Sequence, residues 1–141
     1  MIIKQLSVFL ENRSGRLAEL TEILGEAGVN LSALSIAETS DFGIIRMIVS
    51  DPETGLSVLK ENNFSVSLTD VICLKTPNQP GALAETLDVL SEAGISVEYM
   101  YAFAIEDEAF VVIRTEALEE TIKLLEKHEM ELLEAGKLYD I

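Results

Sequence analysis

The chain has 141 residues and a formal net charge of −15, from 25 Asp and Glu against 10 Lys and Arg. A surface this acidic repels phosphate backbones and anionic lipid headgroups, which argues against nucleic-acid binding and against docking on a membrane. One cysteine (Cys73) cannot close an internal disulfide, Met1–Leu6 lacks a signal-peptide pattern, and no apolar run approaches the ~20 residues of a membrane span, so a soluble cytoplasmic protein is expected.

In chain order, Leu6–Leu10 reads as a strand with core positions at Leu6, Val8 and Leu10. Asn12-Arg13-Ser14-Gly15 is a loop, with Ser14 expected as the N-cap of the following helix. Leu17, Leu20, Leu24 and Ala27 recur at helical spacing, and Gly28 closes that helix. A second strand is expected from Asn30 to Glu38, then a turn at Ser40–Gly43 and a third strand at Ile44–Val49. Asp51-Pro52 makes a favourable start for a second helix carrying Leu56 and Leu59. Val66–Leu68 ends the unit and is expected to continue through Val71–Leu74 into a second copy of it.

The second copy is recognised by a fixed offset. Ser14-Gly15-Arg16-Leu17-Ala18-Glu19 aligns with Pro80-Gly81-Ala82-Leu83-Ala84-Glu85, an offset of 81 − 15 = 66. Without a gap, Glu26-Ala27-Gly28-Val29 then falls on Glu92-Ala93-Gly94-Ile95, Asn12 on Asn78, Asp41 on Asp107 and Leu59 on Leu125. The chain is a duplication. In the second copy, Leu83, Leu87, Leu90 and Ala93 mark the first helix and Leu118, Ile122 and Leu125 the second. Phe110–Ile113 is its third strand, and Leu132–Tyr139 is expected as its last, with Gly136 at a bulge. Alternation puts Tyr99, Tyr101 and Phe103 on one sheet face and Met100 on the other, a cluster that suits packing first and pocket lining second. Two tandem ferredoxin-like βαββαβ sandwiches are therefore expected, an α+β fold with antiparallel sheets and helices on one face, divided as 1–70 and 71–141. The opposite sheet faces then need cover from a paired copy or another subunit.

The loop and helix start of each copy, Asn12-Arg13-Ser14-Gly15-Arg16-Leu17 and Asn78-Gln79-Pro80-Gly81-Ala82-Leu83, resemble those of the ACT domain, a regulatory module that binds amino acids. Each is followed by an Ala-Gly helix stop and a Val-Asn-Leu or Ile-Ser-Val strand start. The second copy matches more closely, because the first has Ser14 where Pro is common. The resemblance implies a free amino acid bound where this loop meets a neighbouring unit. A helix start offers unpaired N–H groups and partial positive charge to a carboxylate, and a glycine lets the backbone approach. Carried over by position, the ligand residues are Asn12, Arg13, Ser14, Gly15, Arg16, Leu17, Asn30 and Leu31 in the first copy. In the second they are Asn78, Gln79, Pro80, Gly81, Ala82, Leu83, Ser96 and Val97, the strand residues being expected one pleat from the loop.

Plainer readings stand beside these. Gly15 and Gly81 also suit a bare turn, Asn12 and Asn78 an Asx turn closed on their own loop, and Arg16 a solvated pair with Glu19. Cys73 reads as core filling, Glu116–Glu120 as a solvated helix face, and the lone His128 as solvent-facing with no metal role. No catalytic dyad, phosphate loop or dinucleotide loop is present in the sequence, so neither catalysis nor a cofactor is expected. The resemblance implies a non-catalytic sensor, a homodimer coupled to a partner enzyme or transporter, and the acid excess of the chain favours a ligand whose side chain is neutral or cationic over an acidic one. A ligand-free assembly module is the alternative, and a small ferredoxin-like enzyme ranks below it.

Overall fold

A computed structural model describes residues 1–141. The elements run β1 (Ile3–Glu11), α1 (Arg16–Glu26), β2 (Leu31–Glu38), β3 (Phe42–Val49), α2 (Pro52–Glu61) and β4 (Ser65–Pro77). They continue with α3 (Ala82–Glu92), β5 (Val97–Ile105), β6 (Glu108–Thr115), α4 (Leu118–Lys127), β7 (Glu131–Leu132) and α5 (Ala135–Tyr139). This is βαββαβ twice, and β4 runs unbroken from the first copy into the second, as the sequence predicts.

The chain divides into two compact units. One is the first copy, Lys4–Thr69, together with the C-terminal Gly136–Ile141; the other is the second copy, Asp70–Ala135, together with Met1–Ile3. In the first-copy unit the strand order is β2-β3-β1-β4, and in the second-copy unit it is β5-β6-β4-β7. Both are the order of a split βαβ plait. The registers repeat at the sequence offset. Leu6 faces Met47, Val8 faces Ile45 and Leu10 faces Gly43, while Ile72 faces Ile113, Leu74 faces Val111 and Thr76 faces Ala109.

Each unit buries its own aliphatic core between helices and sheet. In the first, Leu6, Val8, Leu20, Leu24, Ile45, Met47 and Leu59 are buried together with Phe64. In the second, Ile72, Leu74, Leu90, Val111, Ile113 and Leu125 take that role. Gly55 lets α2 pack tightly on the sheet, since a Cβ there would lie 2.7 Å from Leu6 Cδ1. Met100 packs on the second core, while Phe103, on the other face of β5, stacks on Phe110 with ring centroids 5.2 Å apart.

Asp51 caps α2 as expected. Its carboxylate accepts from the Thr54 N–H at 3.1 Å and from the Thr54 hydroxyl at 2.7 Å, and these bonds hold its pKa below the ordinary 3.8. A depressed folded-state pKa gives stability that is present above the unfolded value and lost as pH falls through the folded one. Asp51→Ala should therefore lower the urea midpoint at neutral pH, and the gap to the parent protein should close below about pH 3.8.

Two local expectations are corrected. Ser14 is not the N-cap: Gly15 holds that position in the left-handed region (φ 88°), with no side-chain cap bond. Arg16 N–H already turns back to Arg13 C=O at 3.3 Å, so the left-handed turn itself, rather than a hydroxyl, admits the chain to the helix. The last strand is not Leu132–Tyr139. It stops at Leu132, and Gly136 lies inside α5 rather than at a bulge. Leu138, fully buried, anchors that short helix, and the Lys4 N–H donates to Tyr139 Oη at 2.8 Å.

Candidate functional site

The loop between the first strand and first helix has one conformation in both copies. Gly15 and Gly81 share φ and ψ to within a degree (88°, −13° and 87°, −13°). Asn12 N–H donates to Asp41 C=O at 3.1 Å, and Asn78 N–H to Asp107 C=O at 2.8 Å. Glu19 N–H reaches Gly15 C=O at 2.9 Å and Glu85 N–H reaches Gly81 C=O at 3.1 Å. Every one of these pairs is related by the same 66 residues, so the loop is specified by backbone geometry that the side-chain substitutions leave intact.

The asparagine side chains do not close Asx turns. Asn12 Nδ2 donates to Glu38 Oε1 at 2.6 Å, and Asn78 Nδ2 to Glu106 C=O at 3.4 Å. Each ties the loop to the far end of the next hairpin. A pocket lies between them in each copy. In the first copy it holds about 220 Å³ and is lined by Leu10, Glu11, Asn12, Arg13, Arg16, Leu17, Ile36, Glu38, Gly43 and Ile45. In the second it holds about 290 Å³, and its lining includes Thr76, Pro77, Asn78, Gln79, Ala82, Leu83, Ala102, Ala104, Ala109 and Val111. These ten are the first ten shifted by 66; Phe103 joins the second set.

Geometry is shared and chemistry is not. The first pocket carries two acids and two arginines (Glu11, Glu38, Arg13, Arg16), whereas the second has no ionisable lining residue and adds Phe103. Arg13 pairs loosely with Glu11 at 3.8 Å, both side chains exposed. Arg16 does pair with Glu19, at 3.0 Å, but it is not a solvated surface arginine. Its side chain is 14% exposed, its guanidinium lies 4.1 Å from the Phe64 ring centroid, and its Nε is buried without a hydrogen-bond partner. The aromatic ring gives the cation an electrostatic partner that needs no water.

A larger cavity, about 570 Å³, opens on the other side of the α3 start. It is lined by Gln79, Pro80, Gly81 and Ala82 of the expected set, with Lys75, Glu85, Thr86, His128, Glu129, Met130 and Glu131 among the rest. Lys75 bonds Glu108 at 2.8 Å and lies 3.7 Å from Glu131, and the Glu108 bond chiefly raises its pKa.

The strand-start residues lie elsewhere. Asn30, Leu31, Ser96 and Val97 follow the C-terminal ends of α1 and α3, about 16 Å from the loops at 1.5 Å per residue over an 11-residue helix. Within a unit they are not one pleat away. Asn30 N–H instead donates to Ser50 Oγ at 2.9 Å, and Ser96 lines a separate cleft with Glu98, Glu116 and Glu120. The residues that do complete the pockets, Ile36 and Glu38 with Ala102 and Ala104, are equivalent across the repeat and so carry a signal in the sequence. Chain proximity does not reveal them, because hairpin register is what brings them to the loop.

Comparison with known proteins accords with this architecture. A family model described as an ACT domain pair matches residues 1–141. A solved structure from Bacteroides thetaiotaomicron is 51% identical, covering 100% of this chain and 98% of that one, with a TM-score of 0.97. The ligand-free regulatory subunit of aspartate kinase from Thermus thermophilus shares the fold at 14% identity and TM-score 0.65, over 89% of this chain and 93% of that one. Aspartokinase III of E. coli, solved with lysine and aspartate, matches over 90% of this chain and 31% of its own, at 16% identity and TM-score 0.53. None of the curated proteins matches. A duplicated βαββαβ plait with one loop geometry in both halves, matched from end to end by the pair model, places this chain in the ACT domain family as an ACT domain pair.

Proposed function

We propose that this ACT domain pair is a non-catalytic sensor that binds a free amino acid and passes its occupancy to a partner enzyme or transporter of amino-acid metabolism. The observation that carries the reading is the loop-and-helix-start pocket built from the same ten positions in both copies. Glycine in the left-handed region starts α1 and α3 at these loops; the first N–H of each helix, on Arg16 and Ala82, is bonded within the loop, and the helix start's partial positive charge suits a carboxylate. The regulatory subunit and the lysine-complexed aspartokinase among the structural neighbours support the same class of role. A ligand that favours one arrangement of such a protein couples to its partner by typically about 1–3 kcal/mol.

Thermal denaturation against each of the twenty amino acids at millimolar concentration tests this. A ligand at 100 times its dissociation constant adds about 2.7 kcal/mol, a rise of several degrees in Tm. Gly81→Ala and Asn78→Ala should abolish the rise. No shift with any amino acid would sink the sensor reading and favour the assembly module.

A homodimer is part of the proposal. Phe9 and Phe42 form an edge-to-face pair with centroids 6.5 Å apart, and both are more than half exposed. The second copy has the Lys75–Glu108 ion pair at the equivalent positions. Exposed aromatic pairs of this kind mark contact surfaces. Phe9→Lys with Phe42→Glu, which copies the second unit's own solution, should shift sedimentation from dimer to monomer; an unchanged profile places any dimer contact elsewhere.

A further inference from the structure

The 570 Å³ cavity of the second copy and the Arg16 site of the first occupy equivalent places. Arg16 corresponds to Ala82, Glu19 to Glu85, and Phe64 to Met130, each at the offset of 66. Ala82, Glu85 and Met130 all line the cavity. In the first copy the guanidinium fills the corresponding space, bonded to Glu19 at 3.0 Å and stacked on Phe64. In the second copy Ala82 ends at its Cβ, and the space stays open.

We infer that the second copy's cavity takes the cationic side chain of a basic amino acid, arginine or lysine, in the place where the first copy holds its own Arg16. The cavity retains the acid that binds Arg16, as Glu85, and adds Glu129 and Glu131. Against these three carboxylates stands one ammonium, Lys75, already bonded to Glu108 and close to Glu131, so among the Glu and Lys side chains of the lining acids outnumber bases by three to one. Met130 offers a polarisable wall where Phe64 offers a ring. The start of α3 lies on the same cavity; Pro80 has no N–H and the Ala82 N–H is bonded to Gln79 C=O, so it is the partial positive charge of the helix start that suits the ligand's carboxylate. The volume lies within the range of small-molecule sites. This rests on the amino-acid reading proposed above and adds to its paired loop pockets a neighbouring space that is open in the second copy and filled in the first by the chain's own Arg16.

Isothermal titration of the full chain with L-arginine, L-lysine, agmatine and norleucine tests it. Arginine or lysine should bind with one site per chain, at least tenfold tighter than norleucine. Ala82→Arg, which installs what the first copy already accommodates, should cut that affinity a hundredfold or more, and Glu85→Gln about tenfold. Should Ala82→Arg fail to fold, the Glu85→Gln, Glu129→Gln pair makes the same measurement. Basic amino acids binding no tighter than norleucine, or undiminished by these substitutions, would overturn the inference. A response to neutral amino acids alone leaves the sensor reading standing without the cation site. Binding of agmatine and arginine alike, with no dependence on the carboxylate, keeps the cation site and removes the amino-acid reading.

Discussion

Leu24→Ala and Leu90→Ala should each destabilise the protein by about 2–5 kcal/mol. The two leucines are equivalent across the repeat, and both are essentially fully buried, at 0% and 1% exposure. Leu24 sits in the first core with Leu6, Leu20 and Leu59, and Leu90 in the second with Ile72, Ile113 and Leu125. Truncation removes buried methyl groups and leaves a cavity that close-packed neighbours cannot collapse into. Urea titration followed by circular dichroism measures the loss. A unit of about 70 residues has little stability to spare, so either loss is a large share of the total. A change below about 1 kcal/mol at either site would mean that the unit's core is not packed as described.

Cys73 should be almost inert to thiol reagents in the folded protein. Burial among apolar neighbours pushes its pKa from 9.0 up to about 12, because the thiolate cannot be solvated there. Three pH units correspond to about a thousandfold lower thiolate fraction at pH 8, before steric protection is counted. Labelling in buffer should therefore be at least a thousandfold slower than in denaturing urea. The linkage has a definite sign. Below pH 9.0 the thiol is protonated in both states and costs nothing; above it the unfolded chain ionises while the folded one does not, so stability falls as pH rises toward 12. Cys73→Ala should remove that alkaline slope. Rapid labelling of the native protein would contradict the core-filling role and restore Cys73 as a candidate reactive group.

Much of this molecule is legible in its sequence because its signals are local and repeated. Leu6, Val8 and Leu10 alternate as a half-buried strand must, Leu20 and Leu24 recur at the period of a helix, and Asp51-Pro52 starts one. Gly15 and Gly81 are identifiable as special because each precedes an apolar helical face, and both adopt a left-handed conformation that disfavours other residues. The single offset of 66 then establishes the duplication and the equivalence of the two loops. Where local signals conflict the sequence misleads: Ser14 has the chemistry of a cap, yet the backbone turn at Gly15 makes that chemistry unnecessary. Leu132–Tyr139 is expected as a strand from its place in the repeat, yet the strand ends at Leu132 and Ala135–Tyr139, rich in strand-poor residues, turns into a helix that buries Leu138.

Tertiary structure alone decided the contents of the pockets. Glu38 and Ala104 reach their loops only because antiparallel registers bring the ends of β2 and β5 back beside Asn12 and Asn78, and register is a property of strand pairs rather than of any one segment. Asn30 and Ser96 fall away from the same loops because a straight helix of 11 residues separates them. Arg16 shows the limit most clearly. Its charge and its partner Glu19 are visible in the sequence, but its burial against Phe64, 48 residues later, depends on how α1 packs against the residue that leads into β4. The sequence by itself determined the plait, its duplication and the special glycines, since each arises from backbone preference and hydrophobic period. Which copy keeps an open cavity and which fills it was decided by side chains meeting across the fold, where Ala82 and Arg16 differ and the backbone does not.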